Sequence, residues 1–83
     1  MYKVKLTARV KKELKTIARS HKEFLAEIFE ELKDDPWIGK PLTRQLTGRF
    51  SYKVGVYRII YKVEIKDRQV VVITAGHRSM VYN

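Results

Sequence analysis

The 83-residue chain predicts one α+β domain, residues 1–83, with an N-terminal strand, a helical hairpin and then a three-stranded antiparallel meander. Three observations carry this prediction. Apolar residues recur every second position at the start of the chain, shift to helical spacing, and return to period two after Gly48. Turn-forming residues divide the second half into short segments. One of those segments, Val70 to Ala75, is almost continuously apolar, as a strand buried on both faces at the centre of a sheet must be.

Taken in order, Tyr2, Val4 and Leu6 alternate with Lys3 and Lys5, giving a strand with one buried face. From Ala8 the spacing of Val10, Leu14, Ile17 and Ala18 is helical, with Lys11, Lys12, Lys15 and Arg19 covering the rest. Ser20 and Glu23 match a capping box, which places the turn of the hairpin near Ser20. Phe24, Leu25, Ile28, Phe29 and Leu32 then form a second apolar stripe. Asp34-Asp35-Pro36 closes the second helix, because the residue before proline is driven out of the α region. Trp37 to Thr43 reads as a loop, with Trp37 either covering the core or anchoring a partner. Phe50, Tyr52 and Val54 alternate with Ser51 and Lys53, Gly55 permits a tight reversal, and Tyr57 to Ile65 alternates again. Lys66-Asp67-Arg68 is a polar turn into the last strand. Both helices are expected on one face of the sheet, leaving the other open and basic.

A chain this short supports one small core. Zero cysteines exclude a disulfide framework and a thiolate metal site, and two histidines with nine acids disfavour a metal cage, so no metal and no cofactor are expected. The N-terminus lacks an apolar signal core and no window has the length of a membrane span, so the expected location is the cytoplasm, with no membrane partner.

Net charge is +9, and it is unevenly spread. Residues 1–40 hold ten Lys or Arg against seven Asp or Glu, whereas residues 41–83 hold eight against two. No acid occurs between Asp35 and Glu64, yet Lys40, Arg44, Arg49, Lys53, Arg58 and Lys62 do. Cations without internal counter-ions in a sheet segment call for an external polyanion, and nucleic acid is the first candidate. Strand alternation puts Tyr57, Ile59, Tyr61, Val63 and Ile65 on one face and Arg58, Ile60, Lys62 and Glu64 on the other. A guanidinium on a rigid strand makes a bidentate phosphate clamp, and the turn at Gly55 brings Lys53 toward Arg58.

The sequence Gly76-His77-Arg78-Ser79-Met80-Val81-Tyr82 follows the central strand and offers His77, Arg78 and Tyr82 to the same face. Cleaving RNA without a metal needs a base near the 2′-hydroxyl, cations at the phosphorus oxygens and an acid at the departing 5′-oxygen. Lys53, Arg58, Arg78, His77 and Tyr82 are the candidates for those tasks. Each has a plainer reading: an isolated strand arginine or lysine is usually a solvated charge, a single histidine a turn or packing residue, and tyrosines at strand spacing core.

The stretch Leu46-Thr47-Gly48-Arg49-Phe50-Ser51-Tyr52-Lys53-Val54-Gly55-Val56-Tyr57-Arg58-Ile59-Ile60-Tyr61 resembles the strand-turn-strand signature of the RelE/ParE toxin superfamily, and Gly76-His77-Arg78 with Val81-Tyr82 resembles its C-terminal signature. The resemblance implies a microbial-ribonuclease-like fold and, in the RelE branch, a type II toxin that enters the ribosomal A site. There it cuts mRNA by 2′-hydroxyl attack and leaves a cyclic phosphate. It implies that Arg58 stabilises the phosphorane, Arg78 assists the leaving oxygen, Tyr82 orients or stacks on a base, and Lys53 is the second basic residue of the hairpin strand. Arg44, Arg49 and Lys62 are expected RNA contacts. Two departures stand out: Ser51 replaces the first basic residue of the hairpin strand, where Arg49 is the expected substitute, and Val56 replaces the acid of the turn. The implied partners are the ribosome with its mRNA and an acidic antitoxin encoded by a neighbouring gene. The competing functions are a ParE-like toxin that poisons a DNA topoisomerase and a non-catalytic nucleic-acid-binding relative.

Overall fold

The computed structural model describes residues 1–77. Five strands, β1 (Lys3–Leu6), β2 (Lys40–Pro41), β3 (Arg49–Val54), β4 (Tyr57–Glu64) and β5 (Gln69–His77), form one sheet in the order β1-β5-β4-β3-β2. Helices α1 (Ala8–Lys15) and α2 (Arg19–Asp34) lie between β1 and β2 in the chain. The expected meander is β3-β4-β5, and β1 joins its far edge parallel to β5, with Val4 opposite Val70 and Leu6 opposite Val72. Central placement of β5 between β1 and β4 accounts for its continuous apolar run, since Val70, Val71, Val72 and Ala75 are all buried.

Both helices pack on one face of this sheet. Val10 from α1 and Leu25, Ile28 and Leu32 from α2 join Tyr57, Ile59, Tyr61, Val70, Val72 and Ala75 in a single core. Burying an aliphatic side chain of this kind is worth roughly 1.5–3 kcal/mol, so a handful of helix residues fixes the layer arrangement. Tyr61 is fully buried and keeps its hydroxyl satisfied: it donates to the Pro36 carbonyl at 2.9 Å and accepts from the Gly39 N–H at 2.9 Å. Its ring stacks on Phe50, with centroids 5.4 Å apart, and Trp37 meets Phe50 edge-on at 5.7 Å. Trp37 therefore covers the core while remaining 49% exposed.

Four local expectations need correction. The turn between the helices lies at Thr16–Ala18, not near Ser20: Thr16 Oγ1 donates to the Glu13 carbonyl at 2.9 Å and tight closures from Thr16 and Ile17 end α1 at Lys15. Ala18 is then the extended residue before α2 and makes no side-chain cap, so Ser20 falls inside the first turn and the capping box is not used. The segment Trp37 to Thr43 is not wholly loop, because Lys40–Pro41 pairs with β3 as the edge strand β2. Proline is tolerated there since an edge strand has one unpaired side. Ile65 leaves the core face and is 64% exposed in the turn, where Arg68 adopts a φ of 51°.

Gly55, with φ of 58°, takes the first central position of the two-residue β3–β4 turn, the place where hairpins of this length favour glycine. This turn sets the register of the site described next.

Candidate functional site

On the face away from the helices, strand alternation and register bring the basic residues together. Lys53 stands directly opposite Arg58, Ser51 opposite Ile60, and Arg49 opposite Lys62. The edge strand adds Lys40 opposite Ser51. Like charges directly opposed across two strands are unfavourable by themselves, and the Lys53–Arg58 pair concentrates positive charge on this face.

This face is concave rather than open and flat. The segment after β2 and the first turn of α1 wall a cavity of about 270 Å³ lined by Arg9, Lys40, Leu42, Leu46, Arg49, Ser51, Lys53, Arg58, Ile60, Ile73 and Thr74. None of these lining residues is acidic. Ser51, 7% exposed, has a buried Oγ without a hydrogen-bond partner among the described residues. Arg58 is half-buried and Lys53 exposed, so the guanidinium is partly shielded from water while the ammonium is free to follow a ligand.

A bulge in β5 shapes the floor. Ile60 pairs with Thr74 but Tyr61 pairs with Val72, leaving Ile73 as the extra residue. Thr7, the N-cap of α1, ties the bulge down by donating from Oγ1 to the Ile73 carbonyl at 3.2 Å while accepting from the Val10 N–H. One turn on, the Glu13 carboxylate accepts from Thr74 Oγ1 at 2.7 and 2.9 Å, from the Ala75 N–H at 3.0 Å and from Arg9 Nε at 3.2 Å. Glu13 thus satisfies the edge of β5 that β1 leaves uncovered, and its ion pair places Arg9 at the cavity wall.

The residues singled out from the sequence fall into four groups. Lys53, Arg58 and Arg49 line the cavity. Lys62 shares their face, but it reaches Glu64 at 3.4 Å and does not line the cavity. Arg44 sits in a short 3-10 turn (Arg44–Leu46) with φ of 58°, and it also does not line the cavity. His77 lies on the opposite face of the sheet: it pairs with Tyr57 and meets the Tyr57 ring edge-on at 6.4 Å, beside the helices. Arg78 and Tyr82 lie outside the described residues.

His77 belongs to a second cavity, of about 520 Å³, shared with Glu13, His21 and Tyr57. Tyr57 and His21 Nδ1 are hydrogen-bonded, and the His21 ring meets the Tyr57 ring edge-on at 5.3 Å. Burial pushes the Tyr61 phenol above its ordinary value, with Asp35 adding to the shift and the Gly39 N–H opposing it. Tyr52 shifts the same way, through burial and then the charges of Glu31 and Asp35.

Lys40 is marked in the sequence only as one cation of the acid-free stretch, in a segment that reads as loop, and its place in the cavity comes from the β2–β3 pairing. Arg9 and Glu13 carry no local signal at all, since they read as ordinary surface positions of a basic helix.

A two-helix layer over a five-stranded sheet, with a basic cleft on the other side of the β3–β4 hairpin, defines the RelE/ParE toxin superfamily fold. The structure superposes on a chain of the RelBE2 toxin–antitoxin complex from Mycobacterium tuberculosis with a TM-score of 0.88, 30% identity, and coverage of 93% of this chain and 98% of that one. It superposes on the isolated RelE toxin of E. coli with a TM-score of 0.78 and 27% identity over 99% of this chain and 92% of that one. Residues 4–82 match the family model of the ParE toxin of type II toxin–antitoxin systems, and the chain belongs to that family. Toxin RelG of Mycobacterium tuberculosis is 38% identical over 55 residues, which are 65% of this chain and 63% of that relative.

Proposed function

We propose that the protein is a ribosome-dependent mRNA endonuclease, acting in the cytoplasm as the toxin of a type II pair. The observation that carries this reading is the Lys53–Arg58 pair set into an acid-free cavity whose charge suits a phosphodiester. In the reaction, the substrate's 2′-oxygen attacks the adjacent phosphorus while its proton passes to a base. The bond to the 5′-oxygen breaks, that oxygen takes a proton, and a 2′,3′-cyclic phosphate and a 5′-hydroxyl remain. Arg58 can donate two N–H groups to the phosphorane oxygens as their charge grows, and Lys53 adds a point charge on the same side. The cavity supplies these charges from the protein itself, so the chemistry assigned here uses no metal. Arg78 at the leaving oxygen and Tyr82 on a base complete the set by resemblance. His77 is omitted from it, because its face of the sheet is the helix face.

The RelBE2 and E. coli RelBE complexes pair such a fold with an antitoxin, and we assign this chain an acidic antitoxin as partner, complementary to its charge of +9. In a translation extract the wild-type protein should cut mRNA at A-site codons, and Arg58→Ala should slow cutting by roughly a hundredfold to a thousandfold with the fold intact. Intact mRNA under conditions that arrest growth would sink the reading. A second reading, topoisomerase poisoning, is favoured by the ParE family match and by Ser51 standing where the resemblance implies a basic residue. Trapped or relaxed plasmid in a gyrase assay, unaffected by Arg58→Ala, would support it.

A further inference from the structure

Between Arg49 and Lys53 on the cleft face of β3 stands the uncharged Ser51, and the edge strand sets a cation beside it. Lys40 is directly opposite Ser51 in the β2–β3 register, on the same face, and lines the same cavity as Lys53 and Arg58. Directly opposed residues place their Cβ atoms about 4.5–5.5 Å apart, so the four-carbon stem of Lys40 has the length to pass over the short Ser51 side chain into the cavity. The backbone of Lys40 is held from both sides. Gly39 N–H donates to the buried Tyr61 hydroxyl at 2.9 Å, and Leu42 N–H donates to the Arg49 carbonyl at 2.8 Å. Gly39 is required for this approach, because a Cβ there would lie 2.6 Å from the Tyr61 hydroxyl. Among the described residues the ion pairs engage Arg9, Lys33 and Lys62 but not Lys40. Beneath it, the Ser51 hydroxyl is buried and has no partner among those residues.

We propose that Lys40 and Ser51 together bind one phosphodiester of single-stranded RNA, the ammonium as a point charge and the hydroxyl as a directional donor. The proposal rests on reading the cavity as an RNA site. Ser51 lies two residues from Lys53 along β3, roughly 7 Å, which is comparable to the separation of successive phosphates in an extended strand. The phosphate held by Lys40 and Ser51 is therefore the neighbour of the one facing Lys53 and Arg58. The bond from Gly39 N–H to Tyr61 holds the backbone that carries Lys40.

The test is binding of a short fluorescent single-stranded RNA, blocked against cleavage by 2′-methoxy groups, measured by anisotropy across a salt series. Lys40→Gln should weaken binding severalfold and lower the slope of log affinity against log salt by about 0.7, the value for one phosphate contact on a single strand. Ser51→Ala should weaken binding about twofold to fivefold with no change in slope, as loss of an uncharged donor does. The two losses should be less than additive, because both groups serve one phosphate. Ser51→Lys placed on Lys40→Gln should restore the slope. A slope for Lys40→Gln no lower than that for Lys66→Gln, in the turn between β4 and β5, overturns the proposal, and so does strict additivity of Lys40→Gln with Ser51→Ala. Ribosomal mRNA cleavage by the same proteins separates the two ideas. A lost slope without any cleavage keeps the phosphate pair and removes the nuclease, whereas cleavage with an unchanged slope does the reverse.

Discussion

The two faces of β4 and β5 are built from the same alternation and do opposite things. Tyr57, Ile59 and Tyr61 face the helices, and Arg58, Ile60 and Lys62 face the cleft. On the helix face polar groups are bonded to one another: Tyr57 with His21, and Tyr61 with Pro36 and Gly39. On the cleft face the lining groups are cationic with no acid among the lining residues, and a buried serine hydroxyl has no partner among the described ones. A folded chain satisfies its buried polar groups unless something else is meant to satisfy them. Folding thus accounts for the polar groups of the helix face, and the proposed RNA ligand would account for those of the cleft.

Substitutions on the two faces should therefore separate stability from activity. Arg58→Ala carries the largest expected effect, the roughly hundredfold to thousandfold loss of cleavage described above, with a thermal midpoint close to wild type. Leu32→Ala, fully buried on the helix face, should do the converse. It should cost about 2–5 kcal/mol of stability, read from denaturant midpoints, while each molecule still folded cuts at the wild-type rate. Equal losses of stability from both substitutions would erase the distinction between the faces.

Glu13 lies where the two regions meet, and it sharpens the comparison. Its carboxylate satisfies the Thr74 hydroxyl and the Ala75 N–H and holds Arg9 toward the cavity. Glu13→Ala leaves two partly buried donors unmatched, so about 1–3 kcal/mol of stability should be lost, together with the positioning of Arg9. Arg9→Ala should share the effect on RNA binding but not the loss of stability, since that arginine is exposed. Chemical denaturation and RNA anisotropy on the same two variants resolve which function Glu13 serves.

Most of the fold was legible because its signals are periodic and local. The switch from period two to helical spacing at Ala8, the proline after Asp35, Gly55 at the hairpin and the apolar run of β5 all have a cause within a few residues. The Lys53–Arg58 juxtaposition was legible for the same reason, since the Gly55 turn alone fixes their register. What was not legible depends on contacts distant in sequence. Lys40 becomes a strand residue only because β3 offers an edge and Tyr61 ties down Gly39, 22 positions away. Glu13 acquires its role from Thr74, 61 positions away, and the bulge at Ile73 has no marker in an unbroken run of β-branched residues. His77 is offered to the cleft in the sequence only because it follows the central strand, and the bulge at Ile73, which sets the face of the residues after it, has no sequence marker. Counting back from the Tyr57–His77 pair puts it on the helix face.

Tyr61 gives the stability of the helix face a dependence on pH. Burial raises its phenol above the ordinary value near 10.0, so above that pH the unfolded chain releases a proton that the folded chain retains. The folded state then binds more protons, and stability, complete below pH 10, falls as pH rises through the folded value. Tyr61→Phe should be less stable than wild type near neutrality by about 1–3 kcal/mol, because the Gly39 N–H and Pro36 carbonyl lose their partner. Above pH 10 its stability should decline less steeply. Parallel slopes for the two proteins in urea titrations would show that the buried phenol is not the group responsible.

The smallest expected effect is the most direct check on which face carries the chemistry. His77 is exposed at the end of β5, paired with Tyr57 and set against the Tyr57 ring on the helix side. Residue types alone make it a candidate general base beside Lys53 and Arg58, since histidine commonly serves as one. Strand geometry removes it from that role, because Arg58 pairs with Gly76 and the next residue along β5 points to the other side. His77→Ala should change cleavage by less than about threefold, the range of a surface substitution away from the reacting groups. A loss approaching that of Arg58→Ala would mean that the end of β5 turns over when RNA is bound, and the division between the two faces would then hold only for the unbound protein.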